Sequence, residues 1–258
     1  GGNGTLSADA ATAFFSEGLR VGHMGGTGTA AFRNGAALTT RLSLHVGNEG
    51  GTGTLLADGA TVNVTNDWLS VGRNGGTGTL ILTNSAVLNK SGANSIEFGN
   101  RADGVSALVM DGSTLNVLNA SSEFHIGKSG SRSTVSLTGS AINMGSRMDF
   151  AHQNGAYVEA LLKDSSIVKA GHDGTGLLFC EGGAATSLFT AVDSVLSITR
   201  SGGTGANAIQ LAPSTGGVCV FTNINSVVEA VSTNGSRIYI AGGINARVTY
   251  VQDGPDAR

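Results

Sequence analysis

Short alternations of apolar and polar residues run along most of the chain. Leu44 and Val46 flank one polar residue, and Leu69 and Val71 flank another. Alternation with a period of two predicts β-strands that bury one face. Each alternation is short and is bounded by Gly, Asn or Ser, which tolerate the backbone conformations of tight corners. No stretch has the spacing of an amphipathic helix, so we predict an all-β fold.

These alternations belong to an internal repeat. The stretch Gly-Gly-Thr-Gly-Thr begins at Gly25, Gly50 and Gly75, and a variant begins at Gly1. Three apolar patches and three corners in about 25 residues predict one coil of a triangular solenoid, whose stacked coils form three parallel sheets around one interior. We expect about ten coils, starting near residues 1, 25, 50, 75, 103, 130, 154, 183, 216 and 243.

The repeat predicts a single solenoid domain over residues 1–258. Its units are regular over residues 1–150 and degenerate, with longer loops, over residues 151–258. Ten coils stacked at ~4.8 Å would form a rod of roughly 45 Å. The chain begins inside a repeat, which we interpret as a mature product or a fragment of a longer protein.

The repeat resembles a known family. Its units read Leu-x-Val-Gly, then Gly-x-Gly-Thr-Leu, then Asp-Gly-Ala-x-Val, with the best matches over residues 44–64 and 69–88. This pattern resembles the autotransporter-associated β-strand repeat. The resemblance implies a right-handed parallel β-helix on a bacterial cell surface, often within large passenger or adhesin-like proteins. It implies no catalytic residues that could be assigned to this chain.

The composition restricts the classes of partner. Glycine is abundant at 41 residues, but 40% hydrophobic residues and only 2 prolines argue against a disordered linker. A net charge of −3 without a basic patch argues against nucleic-acid binding. No apolar run is long enough to span a membrane. We expect the two cysteines, Cys180 and Cys219, to be buried free thiols.

The glycine-rich stretch is predicted to form corners and not a ligand loop. A dinucleotide site would need a following helix, and a phosphate loop would need a Gly-Lys pair. A calcium-binding glycine repeat would need a nine-residue period with an aspartate. None of these contexts is present. The corner positions are Gly25, Gly26, Gly28, Gly50, Gly51, Gly53, Gly75, Gly76 and Gly78.

A set of Asp and Asn residues follows the first strand of each unit. Stacked at one corner, these side chains would hydrogen-bond their own turn and the neighbouring turns. The alternative is a column of carboxylates that binds calcium; we favour the turn ladder and expect no metal requirement. The members are Asp9, Asn34, Asp58, Asn84, Asp111, Asp164, Asp193, Asn225 and Asp253.

The histidines and remaining acidic residues suggest no active site. His45 and His125 alternate with inward residues, so we expect both to lie on the solvated surface, too far apart to share a metal. Glu97, Asp149 and Glu159 form no obvious pair in a shared column, and no nucleophile motif is present. We therefore predict a protein without enzymatic activity, cofactor or metal. The other histidines are His23, His152 and His172.

The function expected from these patterns is structural. We predict an extracellular or bacterial cell-surface solenoid that acts as a stalk, a matrix component or a subunit of an end-to-end filament. Its partners would be further copies of itself or the continuation of a longer chain, because sheet ends invite strand addition. The alternative is an adhesin-like passenger that binds a glycan or surface receptor through the irregular coils of residues 151–258, in particular loops within residues 163–181 and 200–215.

Overall fold

A computed structural model describes residues 1–170, 176–200, 207–232, 238–242 and 244–254. Every regular element within these residues is a β-strand, and every strand pairing is parallel. The strands form three sheets, one on each side of a triangular coil. The predicted all-β, three-sheet parallel β-solenoid is confirmed.

Each coil contributes one strand to each sheet. The first sheet contains β1 (Asn3–Asp9), β4 (Thr27–Arg33), β7 (Thr52–Asp58), β10 (Thr77–Thr83), β13 (Val105–Asp111), β16 (Arg132–Thr138), β19 (Tyr157–Lys163), β22 (Thr186–Val192), β25 (Val218–Ile224) and β28 (Arg247–Asp253). The second sheet contains β2 (Thr12–Phe15), β5 (Ala37–Thr40), β8 (Thr61–Val64), β11 (Val87–Lys90), β14 (Thr114–Val117), β17 (Ala141–Met144), β20 (Ser166–Lys169), β23 (Val195–Arg200) and β26 (Val227–Ser232). The third sheet contains β3 (Gly18–His23), β6 (Ser43–Asn48), β9 (Leu69–Arg73), β12 (Ile96–Phe98), β15 (Phe124–Ile126), β18 (Met148–Phe150), β21 (Leu177–Phe179), β24 (Ile209–Leu211) and β27 (Ile238–Ile240).

The coils are longer than the repeat of the first units suggests. The solenoid has about nine turns with a spacing of ~27 residues, where about ten coils of about 25 were expected. The regular spacing holds up to β10, after which the corners lengthen. Val105 is the register partner of Thr77, and Val218 is the partner of Thr186, so the added residues lie in the connections and not in the strands.

The interior consists of apolar side chains stacked on their equivalents in the next coil. Leu80 lies between Leu55 and Leu108 in the first sheet, and all three are buried. The interior of the later coils is aromatic: the rings of Phe150 and Phe179 stack with centroids 5.0 Å apart. This continuous stacking explains how such short strands form one stable core, because no strand could bury its apolar face alone.

The corner glycines act in two different ways. Gly25, Gly50 and Gly75 have φ values of 71°, 72° and 74°, a left-handed conformation that favours glycine. Gly53 lies inside β7 and does not have a positive φ. There a Cβ atom would overlap the carbonyl oxygen of Val21, two coils earlier, and the backbone nitrogen of Gly47 in the preceding coil. Gly53 is therefore required by the close approach of two backbones, and not by the turn conformation that we expected.

The Asx residues occupy two adjacent positions at the corner between the first and second sheets. Asp9, Asp58, Asp111 and Asp253 end their strands, whereas Asn34, Asn84, Asp164, Asp193 and Asn225 follow the strand with a positive φ. The expected single column is wrong because a following glycine, such as Gly59, can take the left-handed position instead. Two cross-coil hydrogen bonds link the positions: Asn34 donates to Asp9 over 2.8 Å, and Asn84 donates to Asp58 over 2.5 Å.

A ladder of buried serines lies at the same corner in the later coils. The backbone N–H of Ser140 donates to Oγ of Ser165 over 3.1 Å, and Oγ of Ser165 donates to the carbonyl of Lys163 over 2.7 Å. This arrangement gives the buried N–H groups of Ser113, Ser140, Ser165 and Ser194 a hydrogen-bond partner in the next coil. It repeats through Ser113, Ser140, Ser165, Ser194 and Ser226, where earlier coils have Ala36, Ala60 and Ala86.

Candidate functional site

The outward side chains of the third sheet form one column, which is polar except at Leu178. Glu97 is the register partner of His125, and His125 is the partner of Asp149. Glu97 and Asp149 therefore share a column, which the sequence did not indicate, but His125 lies between them and they form no pair. The complete column, from the first coil onward, is Arg20, His45, Ser70, Glu97, His125, Asp149, Leu178, Gln210 and Tyr239.

The middle of this column, from His45 to Leu178, is buried although it faces away from the core, whereas Arg20 and Tyr239 at its ends are exposed. His45 and His125 are each 4% exposed and Asp149 is 0% exposed, so the expected solvated surface is wrong. The third-sheet strands that carry His125 and Asp149 are only three residues long. Long side chains from both adjoining corners reach across such a narrow face and cover it.

The corner after each third-sheet strand supplies a second column. Ala151 follows β18 with φ 60°, and Cys180 follows β21 with φ 57°. The next residues, His152 and Glu181, lie beside the outward face of the strands. In the first coils the corresponding corner residues are the glycines of Leu-x-Val-Gly. The sequence repeat therefore contains a signal for this site. In Leu-x-Val-Gly, the side chain at x and that of the residue after the glycine lie side by side on the outward face.

Six side chains from three consecutive coils meet on this face: Glu123, His125, Arg147, Asp149, His152 and Glu181. We call them the carboxylate–histidine cluster. At its centre, Oδ2 of Asp149 lies 2.6 Å from Nδ1 of His125 and 2.9 Å from Nδ1 of His152. The two imidazole rings stack with centroids 4.1 Å apart. Asp149 is thus held between two histidines of adjoining coils.

Two further carboxylates and a guanidinium surround this centre. Nε2 of His125 donates to Glu123 over 3.1 Å, and Nε of Arg147 lies 3.0 Å from the same carboxylate. On the other side, Oε2 of Glu181 lies 2.5 Å from Nδ1 of His152. The cluster therefore contains three carboxylates, two imidazoles and one permanent cation.

The close packing of these groups shifts their proton affinities. Burial alone would lower the pKa of His152, but the carboxylates of Asp149 and Glu181 outweigh it and raise the pKa to about 9. Burial alone would raise the pKa of Asp149, but its contacts with His125 and His152 lower it. The contact with His125 also lowers the pKa of Glu123. Asp149 and Glu123 are accordingly carboxylates near neutral pH.

In the first coils, the histidine of the same column lies beside arginines and not beside carboxylates. Nη1 of Arg73 lies 3.3 Å from Nε2 of His45. Burial, followed by the charges of Arg73 and Arg20, lowers the pKa of His45 to about 4. A cleft of about 410 Å³ beside His45 is lined by residues that include Glu17, Arg20 and Asp67.

Between these two regions, Glu97 pairs with the Nζ atom of Lys128 at 2.8 Å and also accepts a hydrogen bond from Asn100. Glu97 is thus separately neutralised and does not add a carboxylate to the cluster.

The remaining predicted residues lie elsewhere. His23 contacts Asn48 on the third-sheet corner, Nδ1 to Nδ2, at 3.2 Å. Glu159 belongs to the first sheet, where it pairs with Thr134 and Leu188. Cys180 and Cys219 are buried free thiols, as expected, and Sγ of Cys180 donates to the carbonyl of Val218 over 2.9 Å. His172 lies outside the described residues.

No protein-family model, curated protein or solved structure matches this chain. The parallel β-solenoid is therefore established from the chain's own geometry, and membership of the autotransporter repeat family stays a prediction. Among the described residues, no helix is long and apolar enough to cross a membrane.

Proposed function

We propose that this chain is a structural β-solenoid that acts as a stiff spacer, in a stalk, a matrix or a filament. The observation that carries the proposal is the unbroken register of the three sheets. Each first-sheet strand from β4 to β25 pairs along its length with the strands before and after it. A hinge needs a break in such a hydrogen-bond network, so continuous pairing favours a rod that transmits force along its axis.

Lateral side-chain ladders support the same role. On the outward face of the second sheet, Asn143 donates to Asn116, Asn116 to Asn89, and Asn89 to Asn63, each over 2.9 to 3.0 Å. These bonds run parallel to the backbone bonds between coils. They strengthen the attachment of each coil to the next without requiring charged groups.

Self-association or continuation in a longer chain also follows as a proposal. The strands β27 and β28 leave Ile238, Ile240, Tyr250 and Val251 exposed at one end of the stack. A further coil would cover these side chains and pair with the free strand edges. That coil can belong to the same polypeptide or to a second copy.

An extracellular or cell-surface location rests on the resemblance of the repeat and is part of this proposal. We propose no catalytic activity. In support, the side chain of Asp149 is fully buried, whereas a reacting carboxylate must reach its substrate. The adhesin-like alternative depends on loops of which residues 171–175 and 201–206 lie outside the described residues.

Electron microscopy combined with light scattering tests the spacer role. We expect straight particles whose length is roughly 45 Å or a multiple of that value, since ten first-sheet strands are stacked at ~4.8 Å. Light scattering assigns each particle length to a number of chains. Particles bent at variable angles, or a flexible chain in small-angle scattering, would contradict the proposal.

A further inference from the structure

The carboxylate–histidine cluster has the composition of a transition-metal site. We propose that it binds one divalent cation of the zinc class through Nδ1 of His125, the carboxylate of Asp149, Nδ1 of His152 and Oε2 of Glu181. Donor atoms, one each from His125, Asp149 and His152, lie within 4.8 Å of one another, and Oε2 of Glu181 lies 2.5 Å from Nδ1 of His152. Two imidazole nitrogens with carboxylate oxygens are a donor set that suits zinc.

Unsatisfied atoms at the centre of the cluster point to a missing ligand. Oδ1 of Asp149 is buried and has no hydrogen-bond partner, although this side chain is 0% exposed. Nδ1 of His152 is close to carboxylate oxygens of both Asp149 and Glu181, yet neither approach has the geometry of a hydrogen bond. Buried polar atoms are nearly always paired in folded proteins, so these exceptions require an explanation. A cation that contacts the imidazole and both carboxylates provides one.

The surroundings of His125 are those of a metal ligand. Its Nε2 atom donates to Glu123, which leaves Nδ1 directed at Asp149. A carboxylate that holds the second nitrogen of a ligating histidine fixes the ring orientation and increases the basicity of the ligand. Glu123 is itself held by Arg147. The positioning group that a metal site needs is therefore already in place.

The charge balance of the cluster also favours a divalent ion. Glu123, Asp149 and Glu181 carry three negative charges against the single positive charge of Arg147. The surplus of two charges is matched either by protons on both histidines or by one dication. The metal and the protons would occupy the same nitrogen atoms, so binding the metal releases protons from the imidazoles.

The donor atoms must separate slightly to accept the ion. They lie 2.5 to 2.9 Å apart along the chain of contacts from His125 to Glu181. In a tetrahedral site with bonds of about 2.0–2.2 Å, neighbouring ligand atoms are roughly 3.4 Å apart. His152 and Glu181 belong to corners and not to strands, so small side-chain rotations can open this space without disturbing the sheet.

Metal titration of the untagged, full-length chain tests the site. After removal of bound metals with a chelator, Co²⁺ is added and its visible absorption is followed, and Zn²⁺ is then used to displace it. We expect one ion per chain with the absorption of four-coordinate cobalt. Binding at well below one equivalent, or absorption typical of six-coordinate aqueous cobalt, would overturn the proposal.

Variants separate a specific site from general binding to histidines. His152→Ala should abolish stoichiometric binding, whereas His45→Ala, a buried histidine in the same sheet, should leave binding unchanged. Glu123→Gln should keep one site per chain but lower its affinity about 10–100-fold, as expected for a group that positions a ligand. Equal losses in His152→Ala and His45→Ala would contradict the assignment.

Circular dichroism shows whether each variant keeps its strand signal. If His152→Ala unfolds, Glu181→Gln on the next coil takes its place in the test. Unchanged affinity in folded Glu181→Gln would overturn the four-ligand site, and weakened affinity would support it.

Discussion

The coils at residues 18–83 and those at residues 105–226 share one strand register but have different residues at equivalent positions. In the first group, which we call the glycine coils, Gly28, Gly53 and Gly78 occupy one position in the first sheet. In the second group, the serine coils, the same position holds Ser106, Ser133, Val158, Ser187 and Cys219. The corner before the second sheet changes in parallel, from buried alanine to buried serine.

These replacements are connected through the distance between backbones. In the glycine coils, β7 passes so close to the preceding corner that Gly53 has no room for a side chain. In the serine coils the side chain fills that space: Oγ of Ser106 donates to Oγ of Ser133 over 2.8 Å, and Oγ of Ser133 donates to the carbonyl of Phe98 over 3.3 Å. Longer connections between strands accompany the aromatic interior. The comparison shows that one solenoid can change its cross-section when corner and core residues change together.

The pKa values of the histidines are shifted in opposite directions in the two groups. His45 lies among arginines, and burial with those charges holds its pKa at about 4. His152 lies among carboxylates, which raise its pKa to about 9 despite burial. Both lie on the third-sheet face of the solenoid. The charged residues around each histidine, from its own coil as well as from neighbouring coils, therefore determine whether it is charged.

The largest effect should come from placing a side chain in the narrow corner. Gly53→Val puts a Cβ atom against backbone atoms of two preceding coils, and these cannot move independently. We expect a loss of more than about 4 kcal/mol in the free energy of unfolding, or failure to fold. Ser133→Val is the matched control, because Val158 occupies this position one coil later. It should cost only about 1–2 kcal/mol for the lost hydroxyl bonds. Similar costs for both variants in guanidinium unfolding would contradict the distinction between the two groups.

A smaller effect should follow from interrupting the serine ladder. Ser165→Ala removes the acceptor of the buried Ser140 N–H and one of the two donors to the Lys163 carbonyl, which also accepts from the N–H of Gly139. We expect a loss of about 1–3 kcal/mol in the free energy of unfolding. Ser166→Ala, at the next position, is the control, since the preceding coil already has Ala141 there. If Ser165→Ala were no more destabilising than this control, the ladder would have no energetic role.

The smallest predicted effect is a pH dependence that arises at His45 in the glycine coils, measured between pH 6.5 and about 5. The pKa of His45 is about 4 in the folded chain and about 6.5 when unfolded, so the unfolded state binds more protons between these values. Stability should therefore fall as the pH decreases from 6.5 towards 4. His45→Gln removes this contribution, and the difference between its pH profile and that of the unaltered chain isolates it. Parallel unfolding profiles from pH 6.5 to about 5, above most carboxylate titrations, would contradict the neutral histidine.

The fold could be predicted because its signals are local. The alternation of Leu69 and Val71 lies within one unit and indicates a strand, and the return of the glycines every 25 residues indicates a repeated coil. The role of Gly53 could not be predicted, because it depends on the distance to Val21 in another coil. The same glycine pattern fits a turn requirement and a close approach equally well.

The carboxylate–histidine cluster could not be predicted from the sequence for a related reason. Its contacts join residues in different coils, and coil length changes across this part of the chain: His125 pairs with Asp149 after 24 positions, whereas Glu181 lies 29 positions beyond His152. A fixed period of 25 therefore misaligns the acidic residues. His152 and Glu181 were also missed as partners because the glycine that marks their corner in earlier coils is replaced by Ala151 and Cys180.

The parallel register has a consequence for how such a protein can change in length. Every coil enters and leaves at equivalent points, so cutting at matched positions in two coils and rejoining the chain removes whole coils while the remaining strands stay in register. The carboxylate–histidine cluster draws on three consecutive coils and no others. Duplication or loss of coils on either side of it would lengthen or shorten the rod and leave its chemistry intact. The length of the rod and the chemistry of the cluster can therefore vary independently in this architecture.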